Sequence, residues 1–317
     1  MNIKRWIGRR EPNWKRLDAL LTQLEKKGLK SLKAKEIEEM ASLYRSVSAD
    51  LARAKTNQVD RILLQDLQKL TSRAYSQIYQ GARRQDWRSL WDFCLWGFPA
   101  VVRQNWAYIA LATAIFFLGA LISWWYSWGD PAFISLVVPQ HIISQVRDRQ
   151  ELWMGSILGS EPVASSNLMI NNISVSFKAV AGGITGGIFT VYIMALNGVL
   201  IGAVATLVAQ HNLAYPFWAF VLPHGSLELP AIFFAGGAGL LIGRAILLPG
   251  KYRRLDALKY YGDRAAKLVF GVVVMLIFAG IIEGFFSPSP IVPDVIKYIF
   301  GTGLFACLVL YCLRRLE

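Results

Sequence analysis

Residues 104–129, 179–227, 229–243, 268–282 and 298–313 of this 317-residue chain contain no Asp, Glu, Lys or Arg. Runs of that length exclude an ordinary soluble globule and point to segments that cross a bilayer. Cysteine is scarce as well. Cys94, Cys307 and Cys312 show no paired spacing, which excludes a disulfide framework; Cys307 and Cys312 fall in the last apolar run as small packing residues. No Walker loop, HExxH motif, nucleophile–His–acid set or Cys/His metal framework is present. The sequence therefore predicts no catalytic residues, no cofactor and no metal, and hence a protein that is not an enzyme. The start, MNIKRWIGRREPNWKRLDALL, lacks the apolar core and small-residue cleavage site of a signal peptide, so the first span is expected to serve as an uncleaved anchor.

Hydrophobic residues make up 54% of the chain and mean hydropathy is +0.37. The net charge of +13 could suggest a nucleic-acid partner, but its distribution argues against one. Residues 1–105 hold 21 Lys/Arg against 11 Asp/Glu, and residues 251–267 hold six against two. Both stretches flank apolar runs, where the positive-inside rule places basic residues. Membrane lipids, anionic ones among them, are the expected neighbours, with no nucleic acid.

The fold class read from this pattern is all-α: a polytopic helical membrane protein of about six transmembrane helices, with an N-terminal soluble helical domain. Residues 1–85 form that domain. A first helix is expected near 13–27. Ile37, Met40, Leu43, Tyr44, Val47 and Leu51 mark the apolar face of a second, and Ile62, Leu63, Leu67, Leu70, Ala74 and Ile78 that of a third. Residues 86–105 crowd Trp87, Leu90, Trp91, Leu95, Trp96 and Phe98 beside Arg88, Asp92 and Arg103, which predicts an interfacial amphipathic helix broken or kinked by Pro99.

The transmembrane domain is 106–317, with an outer loop at 129–171. Spans are predicted at 106–128, 172–194, 198–211, 226–248, 266–286 and 294–313. The second and third pivot on Asn197-Gly198, a strong turn dipeptide. Residues 213–223 are too short to cross and are read as interfacial or re-entrant. Six spans put every strongly basic stretch, ending with Arg314-Arg315, on one side. Both termini are then expected to be cytoplasmic. Gly182, Gly183, Gly186, Gly187, Gly198, Gly202, Gly239 and Gly243 supply the small-residue faces of close helix packing. Their abundance motivates a homodimer.

Charges inside spans are costly and pair or line polar pockets. In this topology Lys178, Glu228 and Glu283 come from three helices to one depth near the outer surface, with Asn171, Asn172 and His224 close by. Arg244 snorkels at the inner interface. The expected arrangement is structural: Ser226 caps a helix, Glu228 sits in its first turn beside Pro230, and Lys178 neutralises the carboxylates. An ion path or small-molecule site is the alternative. A metal-dependent hydrolase is a third, because His224 and Glu228 stand i, i+4, with a further ligand needed from His211 or Glu283. Pro223 and Gly225 make helix at His224 doubtful.

The stretch LPHGSLELPAIFFAGGAGLLIG carries a PHG–x–x–E–L–P–A–I pattern that resembles the stage II sporulation protein M (SpoIIM) family. The resemblance continues in NNISVSFKAVAGGITGG, ALNGVLIG and IFAGIIEGFFSP, where Glu283 stands at the family's glutamate. LYRSVSADLARAK and SRAYSQIY look like the cytoplasmic extension of longer, non-sporulating members. The family's namesake is a membrane scaffold that recruits peptidoglycan-remodelling enzymes, so the resemblance implies a scaffold of the cell envelope with remodelling enzymes as partners. The chain departs from the short sporulation form in its N-terminal domain.

Overall fold

The computed structural model describes residues 3–28, 31–57, 59–79, 87–154, 159 and 161–314. The predicted boundary at 85/86 and Arg315 lie outside them. Helices are the regular structure throughout the described residues, which fall into two compact units, 1–88 and 89–317.

The first unit is three helices: α1 (Ile3–Lys27), α2 (Ala34–Thr56) and α3 (Arg61–Tyr79). Their apolar stripes meet in a core of Leu17, Leu20, Leu21, Met40, Val47, Leu67 and Ala74. The predicted faces are the buried ones except at their first positions, Ile37 and Ile62, which are exposed. α1 begins ten residues before the expected start, because Pro12 lies within it rather than ahead of it. Asp50 is fully buried in this core. It accepts a hydrogen bond from Trp14 Nε1 at 2.9 Å and from Arg10 Nε at 2.8 Å.

The second unit opens with α4 (Trp87–Asp92), a π-helical turn at Phe93–Gly97, and α5 (Phe98–Gln104), in which Pro99 occupies the first turn. The break expected at Pro99 does not occur: Gly97 and Phe98 keep helical angles, and the helix ends at Asn105 instead. Nor is the segment confined to an interface: Phe98, Val101 and Val102 are buried in the main apolar core of the unit. Phe98 takes the room left by Gly271 and packs its ring edge-on against Phe234.

α6 (Trp106–Gly129) is the first long apolar helix. α7 (Pro131–Val137) and α8 (Gln140–Arg149) follow, and their Ile134, Ile143 and Val146 pack with Leu207, Val208 and Phe217. The predicted loop at 129–171 is therefore largely helical, and it ends early, because α9 already begins at 161 (Glu161–Ala181). Then come α10 (Ile188–Gln210), α11 (Ala214–Leu247), α12 (Arg254–Ile281), a π-helical turn at Ile282–Phe286, and α13 (Asp294–Leu313).

The reversal predicted at Asn197-Gly198 is instead made by residues 182–187. Gly186 and Gly187 both take positive φ, 71° and 90°, a conformation that side-chain-bearing residues rarely adopt. Asn197 and Gly198 lie inside α10. The Asn197 side chain donates to Ile193 O at 2.8 Å, and Gly198 sits against the backbone of Phe116, where a Cβ would collide. Close approach of α6 and α10 thus overrides turn propensity. Residues 213–223 are likewise not a separate stretch. They are the first turns of α11, whose 34 residues extend about 51 Å, well beyond the roughly 30 Å hydrocarbon layer.

Five helices among the described residues are long and apolar enough to cross a membrane: α6, α10, α11, α12 with its π turn, and α13. α9 takes the place of the expected second span but carries too many Ser, Asn and Lys residues to qualify by composition. Glycines close the remaining distances. A Cβ at Gly183 would collide with the carbonyl of Gly239, and one at Gly239 with that of Ala179; one at Gly243 would stand 2.7 Å from Gly186 C. One at Gly182 would stand 2.5 Å from Thr190 N, and one at Gly202 would collide with Ala120 O. The glycine faces that motivated a homodimer are occupied within one chain.

Candidate functional site

His224 and Glu228 lie one turn apart on α11, so both project from one face. The helix is continuous through Pro223 and Gly225. Proline removes one backbone donor each at positions 223 and 230; Ser226 Oγ donates to Pro223 O at 2.9 Å, inside the helix rather than as a cap. Opposite them, the π-helical turn at the end of α12 carries Glu283 inward. The turn is closed by the Ser287 N–H donating to Ile282 O at 2.8 Å. Such single wide turns recur at functional sites because they re-aim side chains.

One ligand-type atom each from His224, Glu228 and Glu283 lie within 4.8 Å of one another. His224 Nε2 is 3.9 Å from Glu283 Oε1, and its Nδ1 pairs with Ser287 Oγ at 3.0 Å. His224 is 5% exposed, Glu283 8% and Ser287 0%. The Phe220 ring packs edge-on against the imidazole. Glu228 Oε2 and Glu283 Oε2 are both buried without a hydrogen-bond partner. Ser165, at the start of α9, donates to Gly280 O at 2.7 Å and fills the space that a side chain at Gly284 would need.

Lys178 does not join this group. It is exposed in the last turn of α9, beside Ala179, which packs on Gly239 of α11. Gly239 is eleven residues beyond Glu228, about 16 Å along the helix. Misplacing the reversal is what moved Lys178 to the wrong end in the sequence reading. Asn171 is exposed and Asn172 half-buried, and Asn171 Nδ2 reaches Asn172 Oδ1 at 3.4 Å; neither touches the trio. His211 ends α10 with its Nδ1 against Leu207 O, far from forming a third ligand. Arg244 is exposed and bonds Tyr261 at 3.1 Å. Of the two candidate third ligands, the fold brings Glu283.

Ser287 and Ser165 were not identified from sequence. Ser287 falls just past the span predicted at 266–286, in the Pro-Ser stretch SPSP, although its i+4 relation to Glu283 is a signal present in IEGFFSP. An apolar cavity of about 490 Å³, lined by Ile109, Phe117, Gly225, Leu229 and Phe233, opens on the next face of α11 and includes none of the trio.

The sequence profile of the stage II sporulation protein M family matches residues 112–288, more than half of the chain and all three members of the trio. The chain belongs to this family. The SpoIIM region therefore contains α9–α11, the reversal at 182–187 and the π turn. Residues 4–80 match a separate profile described as a domain of unknown function, DUF8413, which coincides with the three-helix unit. An uncharacterized protein of Methanocaldococcus jannaschii is 29% identical over 101 residues, covering 31% of this chain and 45% of that protein. The chain thus spans less than half the length of that relative. No solved structure matches.

Proposed function

We propose that this SpoIIM-family membrane protein is a non-enzymatic scaffold of the cell envelope, holding membrane- or peptidoglycan-remodelling enzymes at the bilayer. The observation that carries this reading is the backbone-to-backbone seam of the membrane unit. Gly183 and Gly239, Gly198 and Phe116, and Gly202 and Ala120 leave no room for a methyl group between helices. Close packing of this kind suits a rigid frame better than a moving conduit. The buried charges form a point near the middle of α11, at His224 and Glu228, while the same helix farther on faces its neighbours with Gly236, Gly237 and Gly239.

In this reading the Arg244 end of the bundle, continued by the basic segment from Lys251 to Lys267, faces the cytoplasm of a bacterial inner membrane, as do both termini. The Ala214 end of α11 lies toward the outside. Cross-linking in native membranes, followed by identification of what co-purifies, tests it. Envelope-remodelling enzymes captured with wild type, and lost when residues 1–79 are removed, would support the reading. Recovery of the chain with no partner above a control would count against it.

A second reading, an ion transporter, is favoured by one observation: two buried carboxylate oxygens without partners. Reconstituted protein should then carry a cation flux that Glu283→Gln abolishes. Absence of flux in sealed liposomes removes this alternative.

A further inference from the structure

The two glutamates have lost the lysine expected to neutralise them, and nothing among the described residues takes its place. The nearest opposite-charge candidate is His224, whose Nε2 stands 3.9 Å from Glu283. Burying carboxylates without a counter-charge is costly, and orphaned buried acceptors in a native fold call for a physical reason.

We propose that His224, Glu228 and Glu283 together hold one divalent transition-metal cation of the zinc class, which clasps α11 to α12. Three independent features carry this. First, the geometry is nearly that of a coordination shell. Ligand atoms around a tetrahedral ion lie about 3.4 Å apart, so atoms already within 4.8 Å of one another need side-chain rotations of roughly 1 Å to close on it. Second, Glu283 is 8% exposed with Oε2 unpartnered, and Glu228 offers a second orphan oxygen. Third, the imidazole is already oriented. Nδ1 pairs with the buried Ser287 Oγ at 3.0 Å, and in the Nδ1–H tautomer the Nε2 lone pair faces the carboxylates, 3.9 Å from Glu283 Oε1. Metal-ligating histidines are held in this way by a partner on the far nitrogen.

The donor set selects the class. One imidazole and two carboxylates suit Zn²⁺, Fe²⁺ or Mn²⁺. Ca²⁺ and Mg²⁺ prefer about six or more oxygen ligands, which three side chains in an apolar surround do not supply. Three ligands from the chain leave a position for water. The site also accounts for the π turn, since the wide winding at Ile282–Phe286 is what sets Glu283 and Ser287 together against α11.

The full-length protein, purified in mild detergent and stripped with a chelator, is reloaded with Zn²⁺ or Co²⁺. The expected result is about one ion per chain by elemental analysis, a visible Co²⁺ absorption displaced by Zn²⁺, and a melting temperature that rises on loading. Ser287→Ala keeps all three ligands and should weaken affinity about 10–100-fold. Glu283→Gln and His224→Ala should lose the ion while eluting as wild type. If those two fail to fold, the wild-type Co²⁺ spectrum and the Ser287→Ala affinity decide. Reloaded wild type without stoichiometric metal, or unchanged uptake by Ser287→Ala and by the folded ligand variants, overturns the proposal. Preferential uptake of Mg²⁺ or Ca²⁺ overturns the assigned class. None of these outcomes depends on the scaffold reading, which cross-linking tests separately.

Discussion

Asp50 in the N-terminal unit and Glu283 in the membrane unit are both buried carboxylates, yet their surroundings differ. Asp50 accepts hydrogen bonds from Trp14 and from Arg10, whose guanidinium also reaches Ser46. Glu283 has an orphan oxygen, a neighbouring orphan on Glu228 and a histidine at 3.9 Å. A carboxylate enclosed by donors is a structural element whose charge is balanced within the chain. One left with bare oxygens beside a second acid and an oriented imidazole has the attributes of a binding site. The difference lies in who supplies the positive charge.

Removing each acid should expose that difference. Asp50→Ala leaves the buried Trp14 Nε1 and the partly exposed Arg10 guanidinium without their acceptor, and should cost about 2 kcal/mol, as losing hydrogen bonds to a charged group does. Hydrogen exchange of α1–α3 amides in the intact protein measures it. A loss below about 1 kcal/mol would erase the contrast. Glu283→Gln should behave oppositely when metal has been stripped away. Neutralising an unpaired buried charge relieves its desolvation, so stability should be unchanged or higher by up to about 1 kcal/mol. A fall as large as that of Asp50→Ala would show that Glu283 has a partner within the chain.

Lys178→Ala sharpens the comparison by testing whether any lysine serves the trio. Its exposed position on α9 predicts a change within about 0.5 kcal/mol in detergent, read as a melting temperature. The smallest effect belongs to the exposed pair Arg16–Glu39, bonded at 2.7 Å. Hydrogen bonding to Arg16, and then its charge, hold the Glu39 carboxyl below its ordinary range. A depressed carboxyl stabilises the folded state above its unfolded pKa, and the gain fades as acid titrates it through the folded value. Arg16→Ala should therefore produce a slight loss at neutral pH, reduced by salt, and none in strong acid.

Much of the fold could be read from charge-free runs and helical periodicity, because both report directly on which surfaces avoid water. The three N-terminal helices and most of the long spans were legible in that way. Glycine was not, since the same residue serves turns and close packing alike. Gly182–Gly187 looked like a packing face and makes the reversal, while Asn197-Gly198 looked like a reversal and packs against Phe116. That exchange shifted α9 along the chain and carried Lys178 to the wrong end. Glu228 and Glu283 were legible because a charge in an apolar run is conspicuous whatever the register. Ser287 was not, because only the wide turn at the end of α12 brings a residue of the Pro-Ser stretch inward.

That wide turn is a single surplus residue wound into a helix. Its loss would restore ordinary pitch and swing Ser287 and the chain beyond it about 100° around the axis. The orientation of one histidine is thus tied to the count of residues in the turn that faces it. Deletion of Gly284 or Phe285 alone would unmake the site while every residue that forms it stayed in the protein.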